Sequence, residues 1–119
     1  MPPGRGKAMK TLVVISTAGS EKEGWKIAQK LVEAKLAACV NVIPKVNSFF
    51  YWEGKLCQEQ EVILLIKTIQ KQFKKIINEI KRIHSYEVPE VISLTVDGGE
   101  ERYLKWINKI LAGEKIKKY

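Results

Sequence analysis

Residues 37–68 read AACVNVIPKVNSFFYWEGKLCQEQEVILLIKT, and this stretch decides the fold. Ala37 to Pro44 is β-branched and apolar, and the pattern resumes as Val46 to Trp52. Between them stands a proline with no N–H for a ladder, which marks a bulge or an edge strand. Glu53-Gly54-Lys55 is a turn and Glu61 to Thr68 returns as the partner, so the centre of the chain is one long hairpin. At about 3.3 Å per residue, arms of roughly 15 residues span about 50 Å. A domain of this size has a radius of gyration of only about 13–14 Å. The tip must project, and its run of Phe49, Phe50, Tyr51 and Trp52 would invite aggregation if left in water. It is expected to lie against another subunit.

Outward from the hairpin the periods are equally plain. Thr11 to Thr17 is a short β-branched run, too brief for a helix and closed by Ala18-Gly19-Ser20, hence a buried strand. Ser20 is placed to N-cap the next helix, with Glu21 and Glu23 in its first turn and Glu23 completing a capping box. Ile27, Ala28, Leu31 and Val32 form the apolar stripe of that helix, while Lys26, Lys30 and Glu33 face water. A second helix carries Phe73, Ile76, Ile77, Ile80 and Ile83 inward, and Lys71, Lys74, Lys75, Lys81 and Arg82 on a solvated outer face. Val91 to Val96 is a strand, Asp97-Gly98-Gly99 a turn, and Leu104, Ile107, Ile110 and Leu111 mark a third helix. The order β-α-β-β-α-β-α gives an α+β fold, a ferredoxin-like βαββαβ sandwich with an extended central hairpin and an extra C-terminal helix. One face of its sheet is left apolar and needs a cover.

The chain of 119 residues fits one domain, and 45% hydrophobic with 29% charged residues is an ordinary globular balance that excludes a wholly disordered or collagen-like chain. Residues 1–8 read as a disordered leader, 9–113 as the domain and 114–119 as a basic tail. No apolar run approaches the roughly 20 residues of a membrane span, and no signal-peptide segment is present, so a cytosolic setting is expected. Cys39 and Cys57 are too few for a disulfide framework and form no CxxC pair. The net charge is +8, but the two ends carry most of it and only +3 falls on residues 11–113. Together with the missing aromatic RNA-binding string, this argues against a specific nucleic-acid partner. No glycine-rich phosphate loop occurs, so no organic cofactor is indicated.

Candidate chemistry gathers at His84, the single histidine, in His84-Ser85-Tyr86-Glu87-Val88-Pro89-Glu90. An imidazole, a phenol and carboxylates this close could hold a metal or move a proton. Equally, His84 could end the helix while Tyr86 and Glu87 bond locally. Cys39 reads as a small strand hydrophobe rather than a nucleophile.

Leu36 to Asn41, Tyr51 to Leu56, Glu61-Val62, Ile66 to Thr68, His84-x-Tyr86-Glu87-x-Pro89-Glu90-Val91-Ile92 and Tyr103-Leu104-x-Trp106 together resemble the CutA family of divalent-cation-tolerance proteins. The likeness runs in order from about Thr11 to Leu111 and leaves out the basic ends. It implies a homotrimer like those of the PII signalling proteins, with long hairpins pairing between subunits, and a link to copper and other divalent ions without any enzymatic reaction. Copper-binding members of the family carry a cysteine near the end of the first strand and a His-His pair. This chain has Ser16, Ile83-His84 and Ser85 there. The resemblance thus implies a weaker site for copper or another divalent cation, made of His84 with Glu87 and Glu90. It further implies an inter-subunit cleft holding Cys39, Trp52, Lys67 and Tyr86, which is either plain interface or a seat for a small ligand or a protein partner.

Overall fold

A computed structural model describes residues 10–112, so the expected leader and basic tail lie outside the described residues. The elements follow the expected order: β1 (Thr11–Ala18), α1 (Glu21–Glu33), β2 (Cys39–Trp52), β3 (Lys55–Ile69), a 3-10 turn (Gln70–Gln72), α2 (Phe73–Ile83), β4 (Val91–Thr95) and α3 (Glu101–Leu111). The strands form one antiparallel sheet in the order β2-β3-β1-β4. Helices α1 and α2 cover one sheet face, where Leu12, Val14, Leu64 and Ile66 meet Ile27, Leu31, Ile76 and Ile80 in the main core. Helix α3 closes a smaller cluster in which Ile107 packs on Ala38 and Ile69.

One detail differs from the sequence reading, for a packing reason. Val32 is exposed, and Gly24 takes its place in the buried stripe of α1 with Ile27 and Leu31. The helix lies so close to β3 that a Cβ on Gly24 would stand 2.7 Å from Val62 Cγ2. The hairpin arms have the expected length, 14 residues in β2 and 15 in β3. β3 starts at Lys55, directly after the turn at Glu53 and Gly54, whose φ values of 51° and 79° give the backbone twist a two-residue hairpin loop needs.

Pro44 marks both features it could have marked. β2 is an edge strand, and its register with β3 shifts between Ile43 and Val46, where Lys45 adopts a φ of 57°. The described residues measure 50 × 27 × 23 Å with a radius of gyration of 15.6 Å, above the value for a compact domain of this size because the hairpin tip projects. The sheet face away from α1 and α2 presents Val13, Ile15, Leu65, Ile92 and Leu94 in register, with Ile92 and Leu94 50% and 55% exposed.

Candidate functional site

The chain brings the end of β1, the start of α1, the middle of β3 and the His84–Glu90 loop to one place. Ser20 caps α1 as its position demands, its Oγ accepting from Glu23 N at 3.1 Å. The return half of the capping box is redirected. Glu23 accepts weakly from Gly19 N at 3.4 Å, and its carboxylate turns to the loop after α2, where Ser85 donates from N at 2.6 Å and from Oγ at 3.0 Å. Burial alone would raise the pKa of Glu23, but the two Ser85 bonds, the nearby His84 and the Gly19 N–H outweigh it and hold the carboxyl below its ordinary 4.5.

His84 ends α2, and its side chain is fully buried. Tyr86 N donates to His84 Nδ1 at 2.9 Å, so the ring proton sits on Nε2 and is donated to the Thr17 carbonyl at 2.7 Å. Both nitrogens are thereby engaged by backbone groups, and no lone pair is left to face a metal. The Tyr86 ring lies 4.6 Å from the imidazole, centroid to centroid, and its hydroxyl donates to Glu61 Oε2 at 2.7 Å. Burial, then the bond to Glu61 and the charges of Glu61, Glu59 and Glu23, raise the Tyr86 phenol well above its ordinary 10.0. It therefore works as a donor and not as a phenolate.

Above this network opens a cavity of about 520 Å³. It is lined by Phe49, Phe50 and Trp52 of the hairpin and by Tyr86, Glu87, Val88 and Glu90 of the loop. Glu61 also lines the cavity and is only 7% exposed. Among the described residues none of Glu61, Glu87 and Glu90 is in an ion pair.

The expected site residues therefore divide. Trp52, Tyr86, Glu87 and Glu90 share the cavity, with His84 beneath it holding the loop to β1. Cys39 and Lys67 are register partners at the base of the hairpin, where Lys67 Nζ donates to Asn41 Oδ1. Cys39 and Trp52 are the two ends of one strand, about 40 Å apart at the usual rise, so a single chain does not bring them together. Among the described residues no three of His, Cys, Asp and Glu are grouped closely enough to hold a metal. Glu61 and Thr17 were read from the sequence as strand residues and not as members of the site. Nothing in a single sequence signals that a glutamate opening a β-branched run will meet a tyrosine 25 positions later.

Comparison with known proteins places this arrangement. The profile described as CutA1 divalent ion tolerance protein matches residues 12–110. The divalent-cation tolerance protein CutA of Thermus thermophilus is 40% identical over 97 residues, which are 82% of this chain and 94% of that protein. A chloroplastic CutA protein of Arabidopsis thaliana is 40% identical over 101 residues, 85% of this chain but 56% of the longer plant protein. Among solved structures, CutA1 from Oryza sativa superposes with a TM-score of 0.85 at 36% identity, covering 87% of this chain and 94% of its own. The solved divalent cation tolerance protein of Thermus thermophilus superposes at 0.82 with 39% identity, covering 83% and 96%. Profile, sequence and fold agree along nearly the whole described length, and the chain belongs to the CutA1 divalent ion tolerance protein family.

Proposed function

We propose that the protein serves divalent-cation tolerance as a cytosolic homotrimer that binds cations and catalyses no reaction. In this reading three copies cover one another's outer sheet faces and hairpin tips. Copper(II) or another divalent ion binds at the cavity mouth through Glu87 and Glu90, with water completing its shell. His84 is a positioning residue whose two backbone bonds hold the loop that carries those carboxylates.

One observation supports the cation reading above the others: three glutamates line one cavity of a chain with net charge +8, and no basic side chain pairs with them among the described residues. Carboxylate ligands without thiolate or free imidazole give modest affinity, on the order of micromolar, with copper(II) ahead of zinc and magnesium. Calorimetric titration of copper(II) tests this. Glu87→Gln with Glu90→Gln should weaken binding by about tenfold or more, because each lost carboxylate removes a charged ligand. Nanomolar binding that survives that double change would overturn the assignment.

A second reading, a PII-like trimer that senses a small ligand and acts through a protein partner, is favoured by the size and aromatic wall of the same cavity.

A further inference from the structure

We propose that the solvent face of helices α1 and α2 docks on an anionic phospholipid bilayer. These helices cover the sheet face opposite the one that neighbouring copies cover in the proposed homotrimer, so that assembly makes no use of them. They have no part in the cavity beside the hairpin.

The first argument is where the charge sits. Residues 21–35 and 71–82 hold nine basic and four acidic side chains, while the whole of residues 11–113 has a net charge of only +3. The basic excess of the domain is therefore concentrated on this layer, and the remainder is net acidic. Two of the four carboxylates are already committed. Glu23 accepts from Ser85, and Glu79, which also lies in the field of Lys30 across the two helices, is held by Arg82 at 2.6 and 3.2 Å. Among the described residues none of Lys22, Lys26, Lys30, Lys74, Lys75 and Lys81 is in an ion pair.

The second argument is apolar surface among those charges. Trp25 and Val32, seven positions apart and so on one side of α1, are 58% and 39% exposed. Trp25 stands in a shallow groove of about 330 Å³ whose other lining includes Lys22, Lys26 and Lys30. An indole set among lysines is what a helix at a bilayer surface presents. The ring enters the headgroup boundary, and the lysine stems lie on apolar surface while their ammonium groups stay with the phosphates. The residue types decide against other anionic partners. Protein interfaces are depleted in lysine and favour arginine, and the one arginine of the two helices is spent on Glu79. Duplex nucleic acid would meet the lysines through its phosphates and leave Trp25 and Val32 without use.

The test is cosedimentation of the full chain with vesicles of phosphatidylcholine containing about 30% phosphatidylserine, at about 0.1 M salt. The expected result is saturable binding that is absent with phosphatidylcholine alone. Lys74→Gln with Lys75→Gln should weaken it about tenfold or more, because each lysine near an anionic surface adds to the attraction. Acyl chains brominated near the headgroup should quench tryptophan emission, and the quenching should disappear in Trp25→Phe, which keeps Trp52 and Trp106 as emitters. All three substituted side chains are exposed, so the variants keep the fold. Equal binding to phosphatidylcholine alone, no binding to either vesicle, unchanged binding in the lysine variant, or quenching that survives Trp25→Phe would each overturn the proposal. Tighter binding of a duplex oligonucleotide at the same salt would overturn it too, by assigning the face to nucleic acid.

Discussion

The β2–β3 hairpin is one continuous ribbon whose two halves are governed by different surroundings. At the base, Val62, Leu64 and Ile66 alternate into a core filled by α1 and α2 of the same chain. Past the bulge at Pro44-Lys45 the pairing continues from Val46↔Glu61 to Trp52↔Lys55, but the helices do not reach it. Phe49 and Tyr51 are 66% and 75% exposed. Base and tip are both rich in apolar residues, so composition does not separate them. What separates them is the reach of the chain's own helices. In the proposed homotrimer, the apolar residues beyond that reach are the surface that neighbouring copies cover.

The largest effect should come from the base. Ile66→Ala removes most of a fully buried side chain and should cost about 2–5 kcal/mol, read from chemical denaturation. Tyr51→Ala at the tip should cost little within the subunit and make stability depend more steeply on protein concentration. Equal losses with the same concentration dependence would erase the distinction between the two halves.

Next in size is the link between the halves. Tyr86→Phe leaves the buried Glu61 carboxylate without its donor and should cost about 1–3 kcal/mol. The bond also fixes a pH dependence. A phenol whose folded-state pKa is raised contributes stability that is fully present below the ordinary 10.0 and is lost as pH rises through the folded value. The alkaline fall in stability should therefore be shallower in Tyr86→Phe than in the wild type. Glu23 has the opposite sign. Its carboxyl is held below 4.5, so its contribution is present above that pH and lost as pH falls through the lower folded value. Glu23→Gln should flatten the acid limb of the stability curve, and an unchanged acid limb would show that the Ser85 bonds do not hold the loop.

Where sequence and structure agree, the signal was periodic. The strands β1 and β3, the helices α2 and α3, and the bulge at Pro44 could all be read because their residues face a core at a fixed period or lack a required N–H. The candidate site was legible in part, since Trp52, Tyr86, Glu87 and Glu90 could be named but the buried partner of Tyr86 could not. Glu23 shows why. Its position fits a capping box, yet two donors from Ser85, 62 residues away, compete for the carboxylate, and local spacing carries no record of them. His84 shows the same gap, because residue type suggests a ligand while the use of its nitrogens is settled by Thr17 O and Tyr86 N.

The smallest effect concerns Ser16, which stands where copper-binding relatives are expected to have cysteine. Its hydroxyl is buried with no hydrogen-bond partner among the described residues. Ser16→Ala should raise stability by about 1 kcal/mol without changing copper(II) affinity, since an unsatisfied buried hydroxyl is a cost and not a ligand. A drop in copper(II) affinity would restore this position to the metal site.

The most direct test of the central claim, that the tip and the outer sheet face are covered by further copies of the chain, is sedimentation at micromolar concentration. The account predicts a species of three times the chain mass for the wild type. It also predicts loss of that species together with folding stability in Trp52→Ala, because obligate interfaces of roughly 2,000 Å² or more are apolar and carry folding with them. A stable monomer at that concentration would contradict it.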